Sequence, residues 1–475
     1  MQFLKGTRLL IRTLIIKQSA RLINISGYVQ GLGFRPFIYR LAKKHQQNGW
    51  VANENSGVRI WLEGRNSQQE QLLTDLQHQL PAFAHIEHLT SQTQALENFA
   101  DFQIKSSHHQ GDYSAFVLPD ISPCPDCIAE LFNPNSRFYH YPFISCRQCG
   151  PRYSIMQQQP YDRQHTTMAD FQPCSTCWHD YHAPENRRFH AQTIACEHCG
   201  PQLQLLNPQG ELLHSQHNAL LEAVKHLQQG GIIALKGIGG FQLLADATQE
   251  EAVQRLRDRK NRPAKPFALM LKDMKSIKAI CAVNAIEQQA LRSSASPIVL
   301  LNHLANRLIT QTVAPNNTQL GVMLPSSPLH HLLAYYFAKP LVVTSGNRSH
   351  EPLCTDTQQA LDQLADIADF FLSHNRKITH GLDDSVVRNI NNQVVNLRRA
   401  RGYVPLPISI DKKLNAALAV GGHSKNTIAI SHGQQLILSQ HLGDLNSLAS
   451  QQYFQKTLTT LTDFYHTKPK ILLHD

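Results

Sequence analysis

The sequence lacks several features that would place the protein in a special class. No uninterrupted apolar run approaches the ~20 residues that a membrane-spanning helix needs, which excludes a protein that crosses the bilayer. Only 17% of the residues are charged while 42% are hydrophobic, and this balance excludes a disordered or collagen-like chain. At ~150 residues per domain, the length of 475 residues predicts a soluble protein of several domains.

Acidic residues are missing from the start of the chain. The first 53 residues contain nine lysines or arginines and no acid, since Glu54 is the first. Almost all of the formal net charge of +10 therefore lies there. Because the rest of the chain is nearly balanced in charge, the net charge of the whole chain does not indicate nucleic-acid binding. Residues 1–20 combine basic residues with an apolar stretch, but Arg12 interrupts that stretch and no small-x-small cleavage site follows. We expect a non-essential leader rather than a signal peptide, and hence a cytoplasmic location.

Lysine is also missing from residues 108–205, where cysteine is abundant. Eight of the ten cysteines form four C-x2-C pairs, and the second two pairs repeat the first two at an offset of 50 residues. Each half reads C-x2-C-x18-C-x2-C, and the repeat extends to His140, which recurs as His190. Large cores elsewhere and four pairs in tandem disfavour a disulfide framework or a redox motif. Four thiolates per half are the ligand set of structural zinc. The predicted ligands are Cys124, Cys127, Cys146, Cys149, Cys174, Cys177, Cys196 and Cys199.

The two predicted zinc sites can form within each half, which is the simplest arrangement, or between the halves. Residues 108–205 hold nine acids against six arginines, and four thiolates around each zinc add about two negative charges per site. Such a module is a poor phosphate-binding surface, so we expect two structural Zn²⁺ ions and no nucleic-acid binding. The single cysteines Cys281 and Cys354 are expected to be buried small hydrophobes.

Residues 21–107 show strands and helices in the order β-α-β-β-α-β, which predicts a ferredoxin-like sandwich. The loop between the first strand and the first helix reads Gln30-Gly31-Leu32-Gly33-Phe34-Arg35. Its two glycines let successive N–H groups turn inward at a helix N-terminus, where the arginine adds a fork for phosphate. An ordinary turn is the alternative for such a loop taken alone.

The residues around this loop carry a family resemblance. The segments GYVQGLGFRPF (27–37) and GWVANENSGV (49–58) resemble the acylphosphatase signature, with Leu32 in place of the usual valine. The resemblance implies that the phosphoryl group binds along residues 30–35 and is held by Arg35. It also implies that Asn53 orients the attacking water.

Residues 206–409 alternate strands and helices again, and they lack the G-x-x-x-x-G-K-[ST] motif of a P-loop. Residues 255–265 contain six cations and one acid, which indicates either a solvated helix end or a clamp for polyphosphate. The segments KGIGGFQLLADA, RDRKNRPAKPFALM, LPSSPLHHLL and TSGNRSHEP together resemble the YrdC-like fold, whose members make a carbamoyl-type adenylate from ATP. The resemblance implies ATP contacts by Lys260, Arg262, Lys265, Ser345, Asn347 and Arg398.

Residues 410–475 resemble the opening of a sugar-kinase-type (actin-like) carbamoyl transfer domain, although His423 stands where such domains more often have an acid. Acylphosphatase domain, double zinc module, YrdC-like domain and this segment, in that order, resemble the HypF family of [NiFe]-hydrogenase maturation. The family's later histidine-rich metal motif does not occur before Asp475. We therefore expect either a piece of a longer protein or a partner chain that supplies the rest.

The resemblance implies a reaction in three steps. Carbamoyl phosphate is hydrolysed, carbamate reacts with ATP and Mg²⁺ to give carbamoyl-adenylate and pyrophosphate, and the carbamoyl group passes to the C-terminal cysteine of the partner HypE. Because carbamate decomposes quickly in water, the sites are expected to connect internally. Without the metal motif, we expect this chain to form the adenylate but not to modify HypE.

Two rival functions remain open at this point. A tRNA threonylcarbamoylation enzyme would share the YrdC-like and sugar-kinase-type domains, but its pathway has no use for an acylphosphatase. A non-enzymatic RNA-binding zinc protein would use the basic start of the chain, but the acidic balance of residues 108–205 disfavours it.

Overall fold

The computed structural model describes residues 18–81, 84–107, 116–305 and 308–475, which form three β-sheets and a cysteine-rich segment between the first two. Most of the predicted leader (1–20) lies outside the described residues, and residues 18–20 begin the first strand. No helix among the described residues is long and apolar enough to cross a membrane.

The N-terminal region (18–107) is the predicted ferredoxin-like sandwich. Its sheet order is β4-β1-β3-β2-β5, and β1 pairs antiparallel with both β3 and β4. Helix α1 begins after Gly33 and buries one face, including Ile38 and Leu41, against the sheet residues Ile23 and Val51. The elements are β1 (Gln18–Tyr28), α1 (Phe34–Lys44), β2 (Asn48–Glu54), β3 (Gly57–Arg65), α2 (Asn66–His78), β4 (His85–Gln94) and β5 (Phe102–Ile104).

The finger region (116–202) has little regular structure. Each half contributes one short helix that starts directly after the first cysteine of the half, α3 (Pro125–Leu131) and α4 (Ser175–His182). Three 3-10 turns follow elsewhere, at Tyr153–Ile155, Arg163–His165 and Thr167–Asp170. The buried side chains of this region belong to hydrophobic clusters that also include residues of the other regions. The finger region is therefore the centre against which the other regions pack.

The central region (203–407) is built on a mixed sheet of eleven strands in the order β16-β15-β11-β12-β10-β13-β9-β8-β14-β6-β7. Strand β6 (Leu203–Leu206) pairs with β14, so this sheet starts three residues inside the predicted finger module and crosses the predicted boundary at 205/206. The other elements are β7 (Leu212–Ser215), α5 (Gln216–Gln228), β8 (Ile233–Lys236), β9 (Phe241–Asp246), α6 (Glu250–Arg259), β10 (Ala268–Met270), α7 (Met274–Lys278), α8 (Ala285–Leu291), β11 (Ile298–Asn302), β12 (Gln319–Met323), α9 (Pro328–Phe337), β13 (Leu341–Ser345), α10 (Thr357–Leu364), β14 (Phe370–His374), β15 (Val386–Ile390) and β16 (Gln393–Arg398).

The C-terminal region (408–475) has a sheet in the order β17-β20-β19-β18-β21, with one long helix. Strand β17 (Ile408–Ser409) lies before the predicted boundary at 409/410, yet it pairs with β20, so the C-terminal sheet begins two residues earlier than predicted. The helix packs its buried residues Leu461 and Phe464 in a cluster with Tyr153 of the finger region. The elements are β17 (Ile408–Ser409), β18 (Ala417–Ala419), β19 (Ala429–His432), β20 (Gln435–Leu438), α11 (Leu448–Phe464) and β21 (Ile471–Leu473).

Candidate functional site

The eight predicted metal ligands form two separate four-cysteine clusters, one within each half of the finger region. The alternative pairing between halves is therefore wrong. Neighbouring sulfur atoms lie 3.6–3.8 Å apart in both clusters. A tetrahedral zinc with Zn–S bonds of about 2.3 Å places its sulfurs about 3.8 Å apart. Both clusters thus have the ligand type and spacing that zinc requires.

Two arginines tie the halves together by contacting each other's clusters. Arg187, in the second half, donates from Nη2 to the sulfurs of Cys124 (3.1 Å) and Cys127 (3.3 Å) in the first. Arg137, in the first half, donates from Nη1 to Cys177 in the second over 3.3 Å. These arginines occupy equivalent positions in the repeat, 50 residues apart, so each half contributes the same kind of contact to the cluster of the other half.

The predicted phosphate loop forms a cradle at the N-terminus of α1. Gly31 and Gly33 adopt φ values of 72° and 73°, the left-handed conformation that side chains rarely tolerate. A Cβ on Gly33 would lie 2.7 Å from the Cδ of Arg147 in the finger region. The loop therefore needs glycine both for its backbone and for close contact with its neighbour.

The other side chains of the loop fix its position rather than face a ligand. Gln30 donates from Nε2 to the carbonyl oxygens of Glu54 (2.7 Å) and Gly57 (2.8 Å), which fastens the loop to the β2–β3 turn. Leu32 and Phe34 are buried in separate hydrophobic clusters. Gln30, Leu32 and Phe34 thus leave only their backbone groups for the predicted phosphate contact.

Arg35 is buried and held by groups outside its own motif. Its Nη2 donates to Oδ1 of Asp162 over 2.7 Å, and its Nη1 donates to Oγ of Ser107 over 3.4 Å. Ser107 in turn donates to the same carboxylate. Asp162 lies in the finger region, 127 residues away in sequence, and no local sequence pattern marks it.

Asn53 and Arg35 line one cavity, as the family resemblance implies. Asn53 lies at the end of β2, is 1% exposed, and its Oδ1 has no hydrogen-bond partner among the described residues. The cavity has room for one or two water molecules, at about 20 Å³. Its opposite wall comes from finger-region residues that the sequence reasoning missed, namely Arg147, Arg152, Tyr161, His190 and Gln192.

Arg152 connects this wall to the cradle. Its Nε donates to the carbonyl oxygen of Gly31 over 2.8 Å, and its Nη1 donates to the carbonyls of Cys149 and Pro151. Its Nη2 donates to the carbonyl of Arg147 over 3.1 Å. One guanidinium thereby joins the phosphate loop to the chain beside the first cysteine cluster.

The charge in this cavity comes from arginine and not from histidine. Burial, with the nearby charge of Arg40, lowers the pKa of Arg147 to about 10, so Arg147 stays charged at neutral pH. Burial and the neighbouring Arg35 lower the pKa of His190 to about 3, which keeps this imidazole neutral. The cavity therefore offers a cationic environment to an anionic ligand.

The predicted ATP contacts form two groups in the central region. In the first, Lys260 donates from Nζ to the carbonyl oxygens of Ser345 (2.5 Å) and Asn347 (2.7 Å) and to Oδ1 of Asn347 (3.1 Å). Ser345 Oγ also donates to Asn347 Oδ1 over 2.6 Å. These contacts tie Lys260 to the loop after β13, and burial lowers the pKa of Lys260 to about 7.

In the second group, Arg262, Lys265 and Arg398 surround Asp383. Arg398 Nη1 lies 2.5 Å from Oδ2 of Asp383. Burial, followed by the nearby Arg257, lowers the pKa of Arg262 to about 10, and the charge of Asp383 opposes this shift. Burial lowers the pKa of Lys265 as well.

The C-terminal region also reaches this second group. The charge of Asp444 acts on Lys265, and burial together with the charge of Arg398 lowers the pKa of His441. The sequence reasoning missed both residues, because nothing in their own segment marks them as neighbours of the central region. The cationic group thus lies where the central and C-terminal regions meet.

Four family models match the chain in sequence. The acylphosphatase model matches residues 22–104, the HypF finger model 124–156 and 174–206, and the Sua5/YciO/YrdC model, described as telomere recombination, 225–400. The model of the HypF Kae1-like domain matches residues 412–475. Asp162 and Ser107 lie outside the acylphosphatase match.

Known proteins resemble the chain over almost its whole length. It is 47% identical over 454 residues to the carbamoyltransferase HypF of Synechocystis, covering 95% of this chain and 59% of that protein. A crystal structure of full-length HypF in the phosphate- and nucleotide-bound form has a TM-score of 0.94 at 39% identity, covering 98% of this chain and 61% of that one. The threonylcarbamoyl-AMP synthase of Vibrio vulnificus is 29% identical over 156 residues, covering 30% of this chain and 80% of that protein. The chain thus spans about three fifths of the length of its long relatives.

Proposed function

This chain belongs to the HypF family, and on that premise we propose that its residues hydrolyse carbamoyl phosphate and adenylate the resulting carbamate during [NiFe]-hydrogenase maturation. In the first step, water attacks carbamoyl phosphate to give carbamate and inorganic phosphate. In the second, a carbamate oxygen attacks the α-phosphorus of ATP, giving carbamoyl-adenylate and pyrophosphate.

The observation that carries the first step is the placement of Arg35 and Asn53 in one cavity at a helix N-terminus, where the buried Oδ1 of Asn53 has no hydrogen-bond partner in the described part of the chain. The backbone N–H groups of residues 31–35 and the positive end of α1 suit a phosphoryl group. Arg35 adds a charged donor on the same side. Asn53 Oδ1 accepts a hydrogen bond from the attacking water and directs its lone pair toward phosphorus.

The finger region limits what this site can accept. Arg147 and Arg152 place two further guanidinium groups at the cavity, while Tyr161 and His190 close it. Carbamoyl phosphate is among the smallest acyl phosphates and carries two negative charges at neutral pH. A narrow, cationic cavity suits it better than it suits a bulky acyl phosphate such as benzoyl phosphate.

Two zinc ions fit the finger region, each held by the four cysteines of one half. When bound, zinc supplies no chemistry to the reaction beyond holding the ligand loops together. The chain's own residues convert that scaffold into function, since Arg152 bonds both the carbonyl of the ligand Cys149 and the carbonyl of Gly31. The conformation of the cradle therefore depends on the conformation of the first cysteine cluster.

The adenylation step is assigned to the central region. The candidates to bind ATP remain Lys260, Arg262, Lys265, Ser345, Asn347 and Arg398. Of these, Lys260 also contacts the Ser345–Asn347 loop and so holds it in position. Mg²⁺ is expected with ATP, where it neutralises the leaving pyrophosphate. The similarity to a threonylcarbamoyl-AMP synthase and to a nucleotide-bound HypF structure supports this assignment.

The third step of the family, transfer to the C-terminal cysteine of HypE, is assigned to the Kae1-like domain. Residues 412–475 match that domain. HypE is accordingly the proposed acceptor, and the cytoplasm is the proposed site of the reaction.

The two rival functions are less well supported. A tRNA-modifying enzyme has no need of a cradle for an acyl phosphate. An RNA-binding role would place phosphates against a finger region that holds more acids than arginines.

Release of pyrophosphate from ATP tests the proposal. We expect release to depend on carbamoyl phosphate in the wild-type chain. In the Arg35→Ala variant, the rate of pyrophosphate release supported by carbamoyl phosphate is expected to fall more than about 100-fold, because no guanidinium binds the charged phosphoryl group. Asn53→Ala is expected to bind phosphate normally but to turn over slowly.

Freshly dissolved ammonium carbamate provides the matched control. It bypasses the cradle, so it is expected to restore pyrophosphate release in Arg35→Ala. If Arg35→Ala hydrolyses carbamoyl phosphate at the wild-type rate, the cradle is not the hydrolytic site. If carbamate fails to support release even in the wild type, the adenylation step is misassigned.

A further inference from the structure

A second cavity, separate from the cradle, lies between the finger region and the central region. It is lined on one side by Phe143, Ile144, Gly150 and Pro151 and on the other by the end of β8, the start of α9 and the end of β14. Lys236, His374 and Arg376 are its titratable residues, and all three are more than nine-tenths buried. None of them belongs to the sites described above.

The two cations in this cavity have no counter-ion among the described residues. No carboxylate of the described chain lies within 4.0 Å of Lys236 or Arg376, and the charges of Asp356 and Asp120 act on them only from farther away. The Nε of Arg376 has no hydrogen-bond partner among the residues that the structure describes, and its guanidinium lies 5.2 Å from the ring centre of Phe143. Buried charges without partners strongly destabilise a fold.

The polar groups around the cations favour an anion with a hydrogen-bond donor. Lys236 gives one N–H to the carbonyl oxygen of His374 over 3.0 Å, which leaves two for a ligand. His374 contacts the carbonyl oxygen of Gly237 through Nε2 at 3.4 Å, while its Nδ1 has no partner in the described part of the chain. With Nε2 protonated to donate to that carbonyl, Nδ1 is a buried acceptor. Burial and the two cations lower the pKa of His374, so the ring stays neutral.

The size of the cavity sets a further limit. It holds about 20 Å³, room for one or two water molecules, which is the scale of a carboxylate group and not of a nucleotide. The N-terminus of α9, a helix of ten residues, opens onto the same space and adds a positive dipole end.

We infer that Lys236 and Arg376 bind a small planar carboxylate that also carries an N–H or O–H, namely carbamate or bicarbonate, with the donor directed at Nδ1 of His374. The choice of carbamate rests on the proposed function, whereas the anion class rests on the cavity alone. The site would hold the carboxylate that attacks ATP at the end of β8, beside the Gly237–Gly240 loop of the central region.

Thermal unfolding at constant ionic strength tests this site without any enzyme assay. Sodium bicarbonate is expected to raise the melting temperature of the full chain in a saturable way, because a ligand that binds only the folded state stabilises it. Sodium acetate has the same shape but no donor, and it is expected to bind at least ten-fold more weakly. Fresh ammonium carbamate, compared with ammonium bicarbonate at equal concentration, shows which of the two anions the site prefers.

Three substitutions locate the effect. Lys236→Met and Arg376→Met are expected to abolish the bicarbonate shift and to raise the melting temperature in anion-free buffer, because each removes an uncompensated buried charge. Arg376→Lys keeps the charge and is expected to keep a shift. Lys225→Met, at an exposed lysine of α5, is the matched control and is expected to respond like the wild type.

A wild-type chain with no bicarbonate shift would overturn the inference. So would a shift that persists unchanged in both Lys236→Met and Arg376→Met. A bicarbonate shift that only these variants lose supports the site whatever the pyrophosphate assay shows, so the site and the proposed function can fail separately.

Discussion

The two halves of the finger region share their metal chemistry but differ in what they contact. Each half holds four cysteines at the same spacing and one short helix after the first cysteine. Within and just after the second C-x2-C pair of each half, Arg147 and Arg152 of the first half correspond to Glu197 and Gln202 of the second. Both arginines line the cradle, while Glu197 lines a different pocket on the second half. The repeated scaffold is structural, and single substitutions on it determine which half supplies the arginines of the cradle, whereas His190 and Gln192 of the second half complete its wall.

The repeated histidines diverge in the opposite sense, because the one in the second half faces the cradle. His190 lies in the wall of the cradle. His140 instead stacks on His217 with 4.8 Å between ring centres and contacts the hydroxyl of Tyr336 at 3.0 Å. Equivalent positions in a repeat therefore share a backbone conformation, with φ of 56° at His140 and 53° at His190, without sharing a role.

Loss of a metal site is expected to have the largest effect and to distinguish the halves. Cys146→Ser and Cys196→Ser should each lower the zinc content from two ions to one, and each should destabilise the fold by several kcal/mol, because zinc binding supplies folding energy. Only Cys146→Ser should also abolish carbamoyl phosphate hydrolysis, since Arg147 follows Cys146 directly and Arg152 bonds its cluster. Metal analysis and hydrolysis rates of the folded fraction measure both effects.

Equal loss of hydrolysis in the two variants would contradict this difference between the halves. A wild-type chain with one zinc or none, and with free thiols, would contradict the zinc assignment itself.

Arg152→Gln converts a residue of the first half into its counterpart in the second. It removes the bond from Nε to the carbonyl of Gly31 and lets the cradle shift, which should lower carbamoyl phosphate hydrolysis about 10- to 100-fold. The reciprocal substitution Gln202→Arg should leave hydrolysis unchanged. Pyrophosphate release supported by added carbamate should survive in both variants, and its loss in Arg152→Gln would indicate general misfolding instead.

Local patterns in the sequence predicted the scaffold of the molecule well. The β-α-β-β-α-β order of residues 21–107 follows from the spacing of apolar residues, because the spacing differs between half-buried strands and half-buried helices. The four C-x2-C pairs predicted both clusters, because metal ligands must lie close together along short loops. The positions of Gly31 and Gly33 in the cradle follow from the same local chemistry.

Contacts between distant segments were out of reach of such reasoning. Asp162 meets Arg35 across 127 residues, and Arg152 meets Gly31 across 121. Lys260 belongs to a basic run that predicts a phosphate contact, and no local pattern showed that its Nζ also contacts the Ser345–Asn347 loop, 85–87 residues farther along the chain. Strand pairing with remote partners also decides where β6 and β17 begin, three and two residues, respectively, before the predicted starts of their domains.

Asp162 provides a test of how the finger region orients Arg35 of the N-terminal region. Asp162→Asn keeps an acceptor for Arg35 and should lower kcat for carbamoyl phosphate only a few-fold, whereas Asp162→Ala frees the guanidinium and should lower kcat about ten-fold. Steady-state hydrolysis with both variants separates kcat from KM. An increase in kcat in Asp162→Ala would instead mean that the carboxylate competes with the phosphoryl group for Arg35.

Substitution of Arg137 or Arg187, which contact the cluster of the opposite half, should have the smallest effect on stability. The two effects should also differ in size between the two clusters. Arg187 donates to two sulfurs of the first cluster and Arg137 to one sulfur of the second, and a hydrogen bond to a charged group stabilises by about 1.5–3 kcal/mol when buried. Both side chains are partly exposed, so we expect the free energy of unfolding to fall by about 1 kcal/mol in Arg187→Ala and by less in Arg137→Ala.

Because each arginine stabilises the thiolates of the opposite half, Arg187→Ala should speed the loss of the first zinc to a chelator, and Arg137→Ala should speed the loss of the second. The rate of zinc release, followed with the single-site variants Cys196→Ser and Cys146→Ser as backgrounds, assigns each ion to its half. Faster release of the ion in the arginine's own half would show that the contacts across the repeat do not stabilise the clusters.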